Sequence, residues 1–205
     1  PSGTYTWGTL GSPSSTSTNT TYTWTPPSTI TADILMVAGG GGGGRRTGGG
    51  GGAGGLVFKP SESISGQQTI VIGNGGTGST SRYSMGTQGA DTTGIGYTAI
   101  GGGAGSCDST YTQSILNGGS GGGAEWNTSN YGAASQPGSS TGGYGNDGGT
   151  SNASRIGGAG GGGAGVAGTS SSGNGYGGNG LKEVTISGTL YNFATVFGGA
   201  TYGEV

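Results

Sequence analysis

The stretch "ADILMVAGGGGGGRRTGGGGGAGGLVF", residues 32–58, decides how the rest of the chain is read. It leaves an apolar run, crosses six glycines, shows two arginines, crosses five more glycines and enters a second apolar run. Glycine loses more backbone freedom on folding than any other residue. A glycine tract between strands is therefore either a flexible linker or a segment ordered by its neighbours. A polyproline-II conformation has three residues per turn and points every N–H and C=O outward. With hydrogen as the only side chain, such helices can lie side by side and bond to one another, with Cα–H···O contacts as a second-order contribution. Ordering a residue costs on the order of 1–2 kcal/mol, and a net hydrogen bond returns roughly 0.5–1.5 kcal/mol. One such helix does not hold alone. A bundle does, if nearly every backbone group is paired and flanking strands add apolar burial.

Composition favours the bundle. Gly accounts for 58 of 205 residues and charged residues for 7%, alongside 10 Tyr, 3 Trp and 3 Phe. Disordered segments tend to be highly charged and poor in aromatic and β-branched residues, the opposite of this mixture. Glycine blocks recur at 39–44, 48–55, 101–105, 118–124, 157–165 and, more loosely, 173–180. Strict Gly-X-Y periodicity is absent, which excludes collagen. Ala53, Ala104, Ala124, Ala159 and Ala164 interrupt the blocks and are expected where a face points outward or at a layer edge.

Between the blocks the chain alternates as strands do. "TYTWGT" (4–9), "TYTWTP" (21–26), "TADILMVA" (31–38), "GLVFKP" (55–60), "QQTIVIG" (67–73) and "GIGYTAIGG" (94–102) read as strands, with "SESISG" as a turn. "KEVTISG" (182–188) and "TLYNFATVFG" (189–198) read as a hairpin around Ser187-Gly188. No segment shows the 3.6-residue apolar period of an amphipathic helix. The expected fold class is all-β, short antiparallel strands combined with a bundle of polyglycine-II helices, with no α-helix. The expected organisation is one domain. A strand-rich part covers residues 1–38, a glycine-rich region with presented loops covers 39–180, and a hairpin over 181–205 packs on the same unit.

Much chemistry is missing. There is no His, which removes the commonest general base and metal ligand. Cys107 stands alone, so an internal disulfide is excluded; a bystander thiol is expected, with interchain pairing as the alternative. Asp33, Glu62, Asp91, Asp108, Glu125, Asp147, Glu183 and Glu204 are scattered, with no close pair fit for glycoside hydrolysis. "GNGGTG" (73–78) matches G-x-G-x-x-G after a strand, but no helix follows to cradle a phosphate. No enzyme activity, cofactor or metal is expected. Net charge is −2, which argues against nucleic acid and anionic membrane as partners. No apolar run reaches the roughly 20 residues of a membrane span, so no membrane insertion is expected. Pro1 in place of Met suggests processing or a piece of a longer chain.

Candidate contacts lie in the loops. Arg45 and Arg46 form the basic cluster visible in sequence, either solvated loop-tip charges or a grip for an acidic sugar or phosphate. Trp126 and Asn127 in "EWN", with Tyr131, and Tyr144, Asn146 and Asp147 in "YGNDGG", pair an aromatic with amide or carboxylate groups, as carbohydrate sites do. Capping of the bundle end is the alternative reading for Trp126. Tyr111 belongs to the loop 106–117.

"WTPPSTITADILMVAGGGGGG", "GGGGAGGLVF", "QQTIVIGNGGTG" and "GYTAIGGGAG" together resemble the glycine-rich domain of bacteriophage tail-fibre and virion proteins. The layout is also similar to receptor-binding tip adhesins of some T-even-like phages, from which it departs in its strand-rich amino-terminal part. The resemblance implies a virion or otherwise extracellular protein whose loops 45–47, 106–117 and 125–156 bind a bacterial surface glycan or outer-membrane protein. It also implies contacts with other virion proteins and, as a possibility, a homo-oligomer. The alternative is a purely architectural subunit such as a head fibre, capsid decoration or filament protein.

Overall fold

The computed structural model describes residues 19–108, 112–136, 138, 142–151, 157–170, 175–180, 184–186 and 189–191. Alternating Thr and aromatic residues form β1, Thr20–Trp24, antiparallel to β4, Gln68–Ile72. The apolar run forms β2, Ile30–Val37, antiparallel to β3, Leu56–Ile64. β5, Thr92–Gly94, and β6, Tyr97–Ala99, complete a four-stranded sheet in the order β1-β4-β5-β6. β7, Gly143–Tyr144, completes a three-stranded sheet in the order β2-β3-β7. The core lies between the two sheets: Ile34, Met36, Val57 and Ile64 from one, Ala99 from the other, with Trp24, Ile95 and Tyr97 packed against them. β8, Val184–Ile186, and β9, Thr189–Tyr191, pair antiparallel as expected for the terminal hairpin. The strand expected at 4–9, and most of the expected packing of 181–205, lie outside the described residues.

Two strand readings change. Residues 61–64 continue β3 rather than turning. The register shifts between Ala32 and Ile34, where Asp33 faces a bulge containing Pro60 and Ser61. Pro60 has no N–H to place in a ladder, Ser61 takes a φ of 56°, and its N–H donates to Asp33 Oδ1 at 2.8 Å. The bulge thus absorbs the residues that read as a turn. The segment 94–102, read as one strand, instead contains a hairpin turn at Ile95 and Gly96, with φ of 52° and 77°. Two positive φ values are what a tight hairpin turn of the primed kind needs. Ile95 lacks the usual Asn signal, and its side chain packs on the core instead.

The tracts 39–44, 48–55, 73–79, 86–90 and 101–106 adjoin strands, and hydrogen bonds of the glycine tracts repeat every third residue. Gly49, Gly52 and Gly55 donate to Ser106, Gly103 and Ile100, at 3.1, 2.9 and 2.7 Å. Gly50 and Ala53 donate to Ala159 and Gly162; Gly41 and Gly44 donate to Gly52 and Gly49; Ser120 and Gly123 donate to Ala53 and Gly50. The tract 48–55 is thereby bonded to 39–44, 100–106, 118–124 and 157–163, with no ladder of its own. A three-residue repeat with only lateral bonds is the geometry of packed polyglycine-II helices.

Burial sorts the tracts by composition. Residues 48–57, 101–107, 118–124 and 157–164 are buried throughout, and they are almost purely Gly and Ala. A Cβ added at Gly41, Gly49, Gly52, Gly103 or Gly161 would lie far inside 3.0 Å of a neighbour's carbonyl oxygen. At Gly40, Gly43, Gly75 and Gly78 the nearest atom would be 3.6–3.8 Å away, an ordinary contact. One face in three thus has methyl-sized room. The five alanines are placed inside rather than at an outward edge: Ala104, Ala124 and Ala159 are 0% exposed. Outer tracts such as 73–79 and 86–90 turn only some glycines inward. Gly73 and Gly76 press on residues 87–91, while Gly86 and Gly89 press on 39–43. These contacts fill the "GNGGTG" backbone with protein.

One helical turn, α1, Gln113–Leu116, is the exception to the all-β reading among the described residues. It plugs the bundle's side. Leu116 is fully buried, and the carbonyls of Ile115 and Leu116 accept from Ala104 and Gly122 at 2.9 Å each.

Candidate functional site

The bond directions set the ends of the tracts on two levels. Strand β2 leads into 39–44, and 48–55 returns into β3. Likewise β4 leads into 73–79, and 86–90 returns into β5. The tracts 101–106 and 118–124 run parallel, since Gly103 and Ser106 donate to Ser120 and Gly123. The sheets occupy one end. The loops 45–47, 80–85, 107–108 and 125–131 meet at the other.

Their contacts form a ring. The turn 45–48 is closed by the Gly48 N–H on the Arg45 carbonyl at 3.1 Å, with Arg46 at a φ of 62°. Arg45 Nη1 donates to the Thr80 carbonyl. The next loop is stiffened by serines: Ser79 Oγ bonds the Ser81 carbonyl at 2.6 Å and Ser84 Oγ at 2.8 Å. Arg82 Nη2 and Nε donate to Asp108 Oδ2 at 2.6 and 3.2 Å, and its guanidinium lies 4.6 Å from the Tyr83 ring centre. Trp126 Nε1 donates to Asp108 Oδ1 at 3.3 Å, while the Trp126 N–H donates to the Thr47 carbonyl at 3.0 Å. Arg45, Arg46, Thr80, Ser81, Arg82 and Tyr83 line an open groove of about 460 Å³.

Electrostatics follow from this ring. The hydrogen bond from Arg82, then that from Trp126, hold the Asp108 carboxyl below its ordinary range. Burial, then the nearby Asp108 charge, push Glu125 up to about 7. Its Oε2 is buried without a hydrogen-bond partner, as are Thr47 Oγ1, Ser106 Oγ and Thr128 Oγ1 of adjoining loop-end segments. Asp108 and Glu125, far apart in sequence, are thus brought within electrostatic reach. The buried Oε2 keeps Glu125 facing the protein rather than the groove.

The sequence candidates divide. Arg45, Arg46, Trp126 and Asn127 sit together at the loop end; Trp126 is 36% exposed and Asn127 takes a φ of 68°. Tyr131 begins the return tract, its carbonyl accepting from Gln113 Nε2 at 2.9 Å. Tyr144 lies at the sheet end, opposite Leu56. Asn146 Nδ2 donates to the Gly163 carbonyl at 2.9 Å, and Asp147 Oδ1 accepts the Ala134 N–H at 2.7 Å; both knit the bundle's flank. Tyr111 lies outside the described residues. Arg82, Tyr83 and Asp108 were not among the candidates. Their signal was an Arg-Tyr pair in a Ser-rich insert between two Gly-bearing tracts, the same layout that exposes Arg45 and Arg46.

Among the described residues no group of three or more His, Cys, Asp or Glu could hold a metal, and no helix is long and apolar enough to cross a membrane. A family model described as a glycine-rich domain matches residues 16–204. No curated protein and no solved structure matches the chain.

Proposed function

We propose that this chain, which belongs to the glycine-rich domain family, is a phage virion protein, a tail-fibre or tip adhesin that binds a bacterial surface receptor through its loop end. One observation carries the reading: loops from separate glycine tracts converge at a single end and are cross-linked there through Asp108 to Arg82 and Trp126. Side-chain-free tracts leave little for a ligand to grip along the bundle, whereas the loop end concentrates charge and exposed aromatic surface. Loops on a rigid scaffold are where binding residues are found.

Replacing loops 45–47, 80–85 and 125–131 one at a time by Gly/Ser segments of equal length tests it, with labelled protein binding to a panel of bacterial cells as readout. The expected result is loss or change of the bound strains by variants that still unfold cooperatively, with the midpoint lowered only by the loss of the loop-end contacts. Unchanged binding for every replacement would instead favour an architectural subunit.

A further inference from the structure

We propose that the groove at the loop end takes an acidic saccharide, with its anionic group held among Arg45, Arg46 and Arg82 and its ring face laid on Tyr83. This names the receptor chemistry of the adhesin reading above and rests on it.

Charge placement is the first support. Only 7% of the chain is charged, and its arginines are Arg45, Arg46, Arg82 and Arg155; three of these line one groove. Asp108 is bonded to Arg82 and lies within electrostatic reach of Arg46, so one carboxylate stands against three guanidinium groups and the groove keeps a net positive charge. Arg46 makes no hydrogen bond or close ion pair among the described residues.

Backbone strain is the second. Arg46 occupies the left-handed region, where a side chain costs roughly 1–2 kcal/mol that glycine does not incur. It does so between tracts of glycine, in a chain with 58 of them. Strain kept against so abundant an alternative points to a use for the guanidinium itself.

Preorganisation is the third. Arg45 is tied to the Thr80 carbonyl, and Arg82 is clamped between Asp108 and the Tyr83 ring. Tyr83 stays 57% exposed, an apolar face beside planar donors suited to carboxylate or phosphate. Sugar recognition uses such a pairing of a flat ring with oriented polar groups. A groove of about 460 Å³ suits a few sugar rings, and the net charge of −2 is unlike a nucleic-acid binder's.

The test is titration calorimetry of the whole chain with glucosamine 1-phosphate, a galacturonate trisaccharide, a neutral glucose trisaccharide and a short DNA duplex. At least one acidic saccharide should bind, the neutral one should not, and raising salt to about 0.5 M should weaken binding by shortening the screening length. Whether the phosphate or the uronate binds tells which surface polymer supplies the anion. Arg46→Gly should unfold no earlier than the parent, because it relieves the left-handed residue. It should also lose about tenfold or more in affinity, the scale of one charge-assisted hydrogen bond. Failure of both acidic sugars, equal binding of the neutral sugar, preference for DNA, or an unaffected Arg46→Gly would overturn the proposal. Cell binding without acidic-sugar binding would remove this ligand class and leave the adhesin reading standing. Acidic-sugar binding without cell binding would do the reverse.

Discussion

Gly52→Ala tests whether the bundle behaves as a close-packed solid. Gly52 lies in the buried central tract, donates to Gly103 at 2.9 Å and accepts from Gly41 at 2.8 Å. A methyl there would collide with the Ser120 carbonyl and come within 2.6 Å of the Gly121 oxygen, both backbone atoms with no rotamer to yield. The tract 118–124 must move away, which endangers the bonds from Ser120 to Ala53 and from Gly123 to Gly50, at 3.1 and 2.8 Å. Overpacking costs about 1–3 kcal/mol and each lost bond about 0.5–1.5 kcal/mol. Relief of unfolded-state entropy returns about 0.4–1 kcal/mol, leaving a net loss of about 1–5.5 kcal/mol if both bonds go. For a chain of 205 residues that lowers the midpoint by roughly 2–20 °C, at about 2–4 °C per kcal/mol. Gly40→Ala is the control: its methyl would sit 3.6 Å from the Gly52 oxygen, so only the entropic gain of about 0.4–1 kcal/mol remains. Urea unfolding followed by tryptophan fluorescence compares the two. Equal stabilities within about 0.5 kcal/mol would refute the packing, since a flexible linker treats the two positions alike.

Other perturbations read other parts of the fold. Glu125, near 7 in the folded chain, holds a proton that the unfolded chain releases at about 4.5. Stability is therefore full below that value, falls as pH rises through the window and levels off above about 7. Screening at this partly exposed site limits the fall to about 1–2 kcal/mol; Glu125→Gln should flatten the midpoint-versus-pH curve there. Asp108, shifted the opposite way by Arg82, adds stability that is lost only as pH falls below its ordinary range. Gln136→Ala removes the acceptor of the Ile100 N–H at 2.7 Å and the donor to Thr98. That leaves a part-buried N–H at the sheet-to-bundle junction unpaired and should cost about 1–2 kcal/mol in urea unfolding. Cys107, 1% exposed, should react with a thiol reagent no faster than the chain unfolds.

Strands and glycine tracts were legible because each leaves a one-dimensional trace. Period-2 alternation marks β1, and a continuous apolar run marks β2. What escaped was decided across the chain. Continuation of β3 through Pro60 depends on Asp33 of the facing strand, and the Ile95-Gly96 turn depends on a core for Ile95 to enter. The buried alanines escaped because the methyl-sized face is created by packed neighbours, not by the tract that carries it. The site divided for the same reason. Arg45 and Arg46 announce themselves as adjacent charges, whereas Arg82 and Asp108 become neighbours only when the tracts 73–79 and 101–106 both end at the same level. Asn146 and Asp147 read as ligand groups in sequence, and only the packed structure shows their side chains bonded to the backbone of adjoining tracts.

The bonding repeat of three residues sets a quantum for change. A tract lengthened or shortened by one residue would rotate its alanines onto the crowded faces and its carbonyls away from their donors. A change of three advances by one whole turn, about 9 Å at 3.1 Å per residue, and restores every pairing. The shaft can therefore grow only in whole turns, while the loops it carries can be exchanged at any length without disturbing its register. Exchange of a loop is in this way separated from the spacing of the tracts that carry it.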